Sequence, residues 1–289
     1  YDAAPSSFDY RSVTCPNDDC SGAVIAGDGI ILKRATNGSF GMTVNEDYQG
    51  IRRLHGLDNN VVIADKESAS YFRSTDGGQT WNENTLPEAG TQGSVMEFTD
   101  GTTGYVFDNQ RALFKTTDGG ALWASTGYVS ESSPGAMHWR NADLGWYYQS
   151  GSEPTIFKTT DGGQTWIDLN VTEIARRMMF MESFSDDHLF GVGIVDEIWE
   201  STDGGATWVR SFFPGQSGTR PSTSNNHHRR GDEIFVPSDA AEIFYSAVAF
   251  TNWEGQIPSD RGAITTVAFF NDDIGVAAGR TSFLITTEA

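Results

Sequence analysis

The feature that most limits what this chain can fold into is an octapeptide that occurs four times. Its copies are 74–81 (STDGGQTW), 116–123 (TTDGGALW), 159–166 (TTDGGQTW) and 201–208 (STDGGATW). Their starts at Ser74, Thr116, Thr159 and Ser201 step by 42, 43 and 42 residues. A fixed period of this length marks stacked or radially repeated units. Each part of the octapeptide suits the tip of a hairpin. Asp76, Asp118, Asp161 and Asp203 can accept hydrogen bonds from amides just ahead of them, and the Gly-Gly pair supplies the positive φ angles of a tight turn. Trp81, Trp123, Trp166 and Trp208 bring an apolar ring back over that turn.

Before each octapeptide stand two runs rich in β-branched and aromatic residues, separated by a polar turn, as expected of strands. In one unit they are 94–98 (SVMEF) and 104–107 (GYVF), followed by 112–115 (ALFK) leading into the repeat. One unit therefore predicts four strands, with the octapeptide between the third and fourth. Degenerate copies extend the series. Residues 35–38 (ATNG) stand where a repeat would begin, 243–253 keeps the flanking Ile-Phe, the Ser and the Trp, and the chain enters a last copy near Thr286. Starts at 35, 74, 116, 159, 201, 246 and 286 predict an all-β, seven-bladed β-propeller of four-stranded antiparallel blades, one domain over 1–289. The last unit lacks an outer strand of its own, and residues 1–6 are placed to supply it. By the same register, 222–226 is the inner strand of the sixth unit, with 227–230 (HHRR) in the loop after it.

With 39 acidic against 19 basic residues, the net charge is −20, which excludes sequence-independent attraction to nucleic acid or anionic membrane. Any anion site must be local. No apolar run approaches the length of a membrane-spanning helix, and the first residues lack the basic and apolar regions of a signal peptide. Cys15 and Cys20 are the only cysteines. Such a pair suits a disulfide, a redox pair or half a metal site; the structural disulfide is adopted, which implies an exported protein with its signal already removed.

Superimposing the units places arginines at or just before the inner strand in five of them: Arg11, Arg52 with Arg53, Arg176 with Arg177, Arg220 and Arg261. In a propeller these segments surround one mouth of the central channel, so the arginines predict a local positive funnel for carboxylate, phosphate or sulfate groups. The tyrosines show no paired acid that sequence identifies. Adjacent His227 and His228 have no third ligand at metal spacing, so no metal, cofactor or catalytic residue is assigned.

The octapeptide resembles the Asp-box, or bacterial neuraminidase repeat, found in sialidases, sortilin-type receptors, xyloglucan-active glycosidases and the photosystem II assembly factor family. The resemblance implies a turn between the third and fourth strands of a propeller blade. The chain is most similar to the assembly factor family, through units such as Gly145-Trp146 followed by 155–166 (TIFKTTDGGQTW). That likeness implies a single exported seven-bladed propeller with an arginine patch and a protein-binding role without catalysis. The expected function is therefore a noncatalytic binding scaffold for a protein, anionic polymer or glycan. Two alternatives stand beside it. One is a sialidase-like glycosidase or a lyase acting on an acidic polysaccharide. The other is a lectin-like surface adhesin with sugar pockets built from Trp139, Trp146, Tyr147 and Tyr148.

Overall fold

A computed structural model describes residues 10–15, 22–35, 39–58, 60–66, 70–86, 95–174, 177–194, 197–213, 227–238, 242–247, 253–256, 264–269, 275–279 and 283–286. Apart from one short 3-10 turn, Glu46–Tyr48, the elements are strands. They form antiparallel sheets, each built from consecutive strands. Sheet 1 is Tyr10–Thr14, Val24–Gly27, Ile30–Arg34 and Phe40–Val44; sheet 2 is Ile51–Gly56, Val62–Lys66, Ser70–Ser74 and Asn82–Thr85. Sheet 3 is Val95–Phe98, Gly104–Phe107, Ala112–Thr116 and Ala124–Val129; sheet 4 is Pro134–Trp139, Gly145–Gln149, Thr155–Thr159 and Ile167–Asp168. Sheet 5 is Met178–Ser183, Leu189–Gly193, Glu197–Ser201 and Val209–Phe212; sheet 6 is His228–Arg230, Glu233–Pro237, Ile243–Ala247 and Glu254–Gln256. Sheet 7 has three strands, Ile264–Phe269, Gly275–Gly279 and Phe283–Thr286.

Two expectations need correction. Complete four-stranded blades number six among the described residues, not seven, because sheet 7 has three described strands. Residues 1–6, expected to complete it, lie outside the described residues. The second correction concerns sheet 6. Its first strand is His228–Arg230 itself, paired through Arg230 and Glu233 across a turn at Gly231, whose φ is +57°. A short hairpin with glycine at its left-handed position pulls His228 out of the expected loop and into the ladder.

Contacts group sheets 1, 2, 6 and 7 into one compact unit and sheets 3, 4 and 5 into another. Within the first, the first strands of sheets 7, 1 and 2 pack side by side, as do those of sheets 6 and 7. Within the second, the first strand of sheet 4 lies between those of sheets 3 and 5. A sheet covered on both faces must be apolar on both, which is why second strands read GYVF, GWYYQ and LFGVG without alternation and are buried throughout. Tyr147 and Tyr148 show the consequence. As strand neighbours they point to opposite faces, Tyr147 packing with Tyr105 and Phe107 of sheet 3, and Tyr148 with Met178 and Trp199 of sheet 5. Each such buried ring or aliphatic side chain contributes about 1.5–3 kcal/mol. Fourth strands carry no covering sheet, and 209–212 is exposed at every position.

All four octapeptides join a third strand to a fourth. In the copy at 159–166, Asp161 accepts the Thr159 hydroxyl at 2.8 Å, the Gln164 amide at 3.0 Å and the Thr165 amide at 3.0 Å, while the Thr165 hydroxyl caps its second oxygen. Gly162 and Gly163 sit at φ +73° and +82°. A Cβ on Gly163 would also stand 2.6 Å from Leu113 of sheet 3, so the turn needs glycine for space as well as for φ. The indole of Trp208 closes its own turn by donating to the Gly205 carbonyl at 2.9 Å.

Two predictions follow from this turn. Where three copies have Thr80, Thr165 or Thr207 donating a hydroxyl to the aspartate, the copy at 116–123 has Leu122, 75% exposed. Leu122→Thr is expected to raise unfolding free energy by about 0.5–1.5 kcal/mol, measured in urea. The Thr165 hydroxyl and amide, then the Thr159 hydroxyl and Gln164 amide, outweigh a small burial penalty and hold Asp161 at about 2. Asp76 is also held at about 2, by hydrogen bonds from Thr80, Ser74 and Gln79 against burial that pulls it up. Both folded values lie below the unfolded one, so this stability is fully present above about pH 4 and is lost as pH falls toward 2. Asp76→Asn/Asp161→Asn should flatten that acid loss when stability is followed by tryptophan fluorescence; an unchanged slope between about pH 4 and 2 would contradict the turn assignment.

Candidate functional site

The first strand of each sheet is an edge, and its outward amides need acceptors. In the first unit those acceptors are hydroxyls on the neighbouring first strand. Ser12 accepts the Leu54 amide at 2.9 Å, Thr14 accepts the Gly56 amide at 3.1 Å, and Thr266 accepts the Val13 amide at 3.2 Å. Thr265 in turn donates to the Tyr10 carbonyl. These stitches tie sheets 7, 1 and 2 together and leave a cavity of about 320 Å³ between the first strands. It is lined by 12–15 of sheet 1, Arg53 and Leu54 of sheet 2, His227 and His228 at sheet 6, and 266–268 of sheet 7.

Among the described residues the lining contains no aspartate or glutamate. Arg53 is its permanent charge, and the Arg53 guanidinium makes no ion pair or hydrogen bond among the described residues. The Thr14 and Thr266 hydroxyls are used as acceptors, and neither proton is committed to an acceptor among the described residues. An arginine, two threonines and two histidines lining one hollow make an arrangement suited to a carboxylate or similar anion. Behind Arg53, Asp65 of the second strand is 4% exposed and accepts the Arg53 amide at 2.6 Å. Burial pushes its carboxyl up to about 6, against the pull of Arg52 and Arg53.

The other expected arginines divide. Arg11 is locked to Asp28 at 2.6 Å. Arg52, next to Arg53 on the strand, is not part of the cavity wall. Arg177 is exposed in the second unit, close enough to Tyr148 to oppose the upward shift that burial gives that phenol. Arg176, Arg220 and Arg261 lie outside the described residues, as does Cys20, the expected partner of Cys15. His227 and His228 were assigned to a solvated loop by sequence and instead line the cavity. The signal that locates them is the pairing register: along the ladders, His55, Glu97, His138, Glu182 and His228 occupy the same rung of five first strands.

In the second unit this rung closes on itself. His138 Nδ1 lies 2.9 Å from Glu97, its Nε2 lies 2.8 Å from the Ser183 hydroxyl and 3.8 Å from Glu182, and Glu97 also accepts the Trp139 amide at 3.3 Å. A glutamate, histidine and serine in sequence is the geometry of nucleophile activation. Ser183, however, has no solvent exposure, so the chain of bonds joins three first strands and offers no oxygen to a substrate. A second trio lies in sheet 6, where the Tyr245 hydroxyl donates to Glu233 at 2.6 Å and Arg230 pairs with the same glutamate at 2.6 Å. The acid that sequence did not identify for a tyrosine is therefore Glu233. It is accompanied by one arginine among the described residues and is not among the residues of the cavity wall. The proposed sugar platforms are corrected. Trp139, Trp146, Tyr147 and Tyr148 are at most 3% exposed, and Trp139 stacks on Tyr105 at 3.5 Å, because these rings form the contact between sheets.

Among the described residues no group of three or more His, Cys, Asp or Glu could hold a metal ion, and no helix is long and apolar enough to cross a membrane. No protein-family model matches the chain, and no curated protein sequence matches it. Solved structures do. The chain is similar to YCF48 bound to D1 peptide, at 15% identity over 99% of this chain and 94% of that one, with a TM-score of 0.76. It is similar to selenomethionine-substituted virginiamycin B lyase from Staphylococcus aureus, at 14% identity over 100% and 98%, with a TM-score of 0.78. A third is the GH74 xyloglucanase from Xanthomonas campestris, at 12% identity over 100% of this chain but 53% of that one, with a TM-score of 0.73. At such identities the likeness is one of fold, and it shows a β-propeller of four-stranded antiparallel blades.

Asp65 supplies a check on the site's electrostatics. Its folded value, about 6, lies above its ordinary 3.8. The stability this gives is fully present below about pH 4 and is lost as pH rises through about 6. Asp65→Asn, which keeps the acceptor for the Arg53 amide, is expected to raise unfolding free energy at about pH 7.5 by about 1–2 kcal/mol and to change little at about pH 4.

Proposed function

We propose that this chain is a noncatalytic binding propeller that captures a carboxylate-bearing segment of a protein partner in the first-strand cavity. The observation that carries this reading is that Arg53, which has no ion-pair partner among the described residues, lines a hollow together with threonine hydroxyls and histidines and with no acid among the described residues. Among the described residues the wall also lacks the two carboxylates that glycoside hydrolysis requires. The likeness to YCF48 bound to D1 peptide supports a peptide as the kind of partner. With this reading go an exported location, a Cys15–Cys20 bond at the end of the first strand of sheet 1, octapeptide turns of the Asp-box type, and sheet 7 as an incomplete seventh blade. A lyase is the second reading, favoured by His227 and His228 beside Arg53: a cation to hold a uronate carboxylate and an imidazole to take the proton next to it.

The test is an array of immobilised acidic peptides with free or amidated C-termini, probed with the protein and with Arg53→Gln. Capture of free-carboxylate peptides, weakened about 10- to 100-fold by Arg53→Gln at an unchanged melting temperature, is the expected outcome. Equal capture of amidated peptides, or full binding by Arg53→Gln, would sink the reading. Incubation with a uronate polymer and formation of an unsaturated product lost in His228→Gln would establish the lyase instead.

A further inference from the structure

The buried carboxyl of Asp65 lies beside Arg53, the permanent cation of the cavity wall among the described residues. Arg53 and Asp65 are direct ladder partners, and the carboxyl's sole hydrogen bond among the described residues is the one from the Arg53 amide. We propose that anion capture in this cavity is coupled to a proton on Asp65, which must be bound for Arg53 to hold an anion at full strength. The inference rests on the reading of the cavity as an anion site and adds its regulation.

The physical argument is one of competing charges. A buried aspartate carrying its proton leaves the field of Arg53 directed into the cavity. Once the proton passes to solvent, a negative charge lies behind Arg53 at short range in a medium that screens poorly, and it cancels part of that field. Burial places this change near neutrality, where Asp65 is pushed up to about 6. Asp65 is therefore not a fixed counter-ion of the Arg11–Asp28 kind, formed at 2.6 Å with both partners half exposed.

The surrounding groups do not reverse the effect. On the adjacent strand Arg52 remains charged, and His55 is pushed well below its ordinary value by burial and then by Arg53, so it stays neutral. On the other side Asp65 pairs with Tyr71, and the next third-strand arginine, Arg73, keeps its charge. Lys66 is turned to Glu83 at 3.1 Å and to the Asp47 carbonyl. Across the cavity, His227 and His228 line the opposite side of the wall.

Sulfate is the probe, since it remains a dianion throughout the range and any pH dependence then belongs to the protein. Binding to the whole chain is measured by calorimetry at about pH 5 and about pH 7.5. Wild type is expected to bind roughly tenfold more tightly at the lower pH. Asp65→Asn should lose most of that difference by binding more tightly at about pH 7.5. If Asp65→Asn keeps the full wild-type pH dependence, the coupling is overturned while the anion site stands. If wild type takes up sulfate at neither pH, or Arg53→Gln binds as well as wild type, the anion site itself fails and the coupling with it.

Discussion

Each sheet here begins with an edge, and an edge strand must find acceptors for the amides that point away from its own ladder. Side chains on the neighbouring first strand meet that demand. Ser12, Thr14 and Thr266 do so in one unit, and Glu97 does so for the Trp139 amide in the other. A strand of pure hydrocarbon could not occupy this position, since each unpaired buried amide costs about 1–3 kcal/mol. The polar character of the first strands is thus a condition of packing sheets face to face, before any ligand is considered.

That structural requirement also shapes the chemistry. A threonine hydroxyl that accepts an amide keeps its proton to donate, so the stitches of the first unit leave donors facing the hollow beside Arg53. In the second unit Glu97, His138 and Glu182 share one rung, with Ser183 at the end of the chain of bonds. Acids and imidazole there satisfy one another and the space is closed. First strands therefore line a cavity beside hydroxyl donors in one unit and close into a buried clasp in the other. The difference lies in which residue types face each other across successive first strands.

The likenesses to a peptide-bound protein, a lyase and a glycosidase share a scaffold and little else. The choice among such chemistries rests on a handful of side chains. Here, among the described residues, no carboxylate joins Arg53 in the wall, the aromatic rings expected as sugar platforms are spent on sheet contacts, and Tyr245 with its acid partner stands elsewhere in sheet 6.

The sequence by itself determined the strands, their order within a blade and the turns between third and fourth strands. These depend on neighbours within a few residues: Asp161 and its Thr159 and Thr165 partners, or Gly162 and Gly163 with their positive φ. It also located Arg53, though among seven arginines that it treated alike. Only the tertiary structure separated Arg53 from Arg11, which Asp28 neutralises from the turn between the second and third strands, 17 residues away. It alone drew His227 and His228 into the cavity wall and set Asp65 behind Arg53. Local hydrogen bonds repeat with the chain and can be read along it, whereas a site's charge is a sum over residues that only packing brings within range of one another.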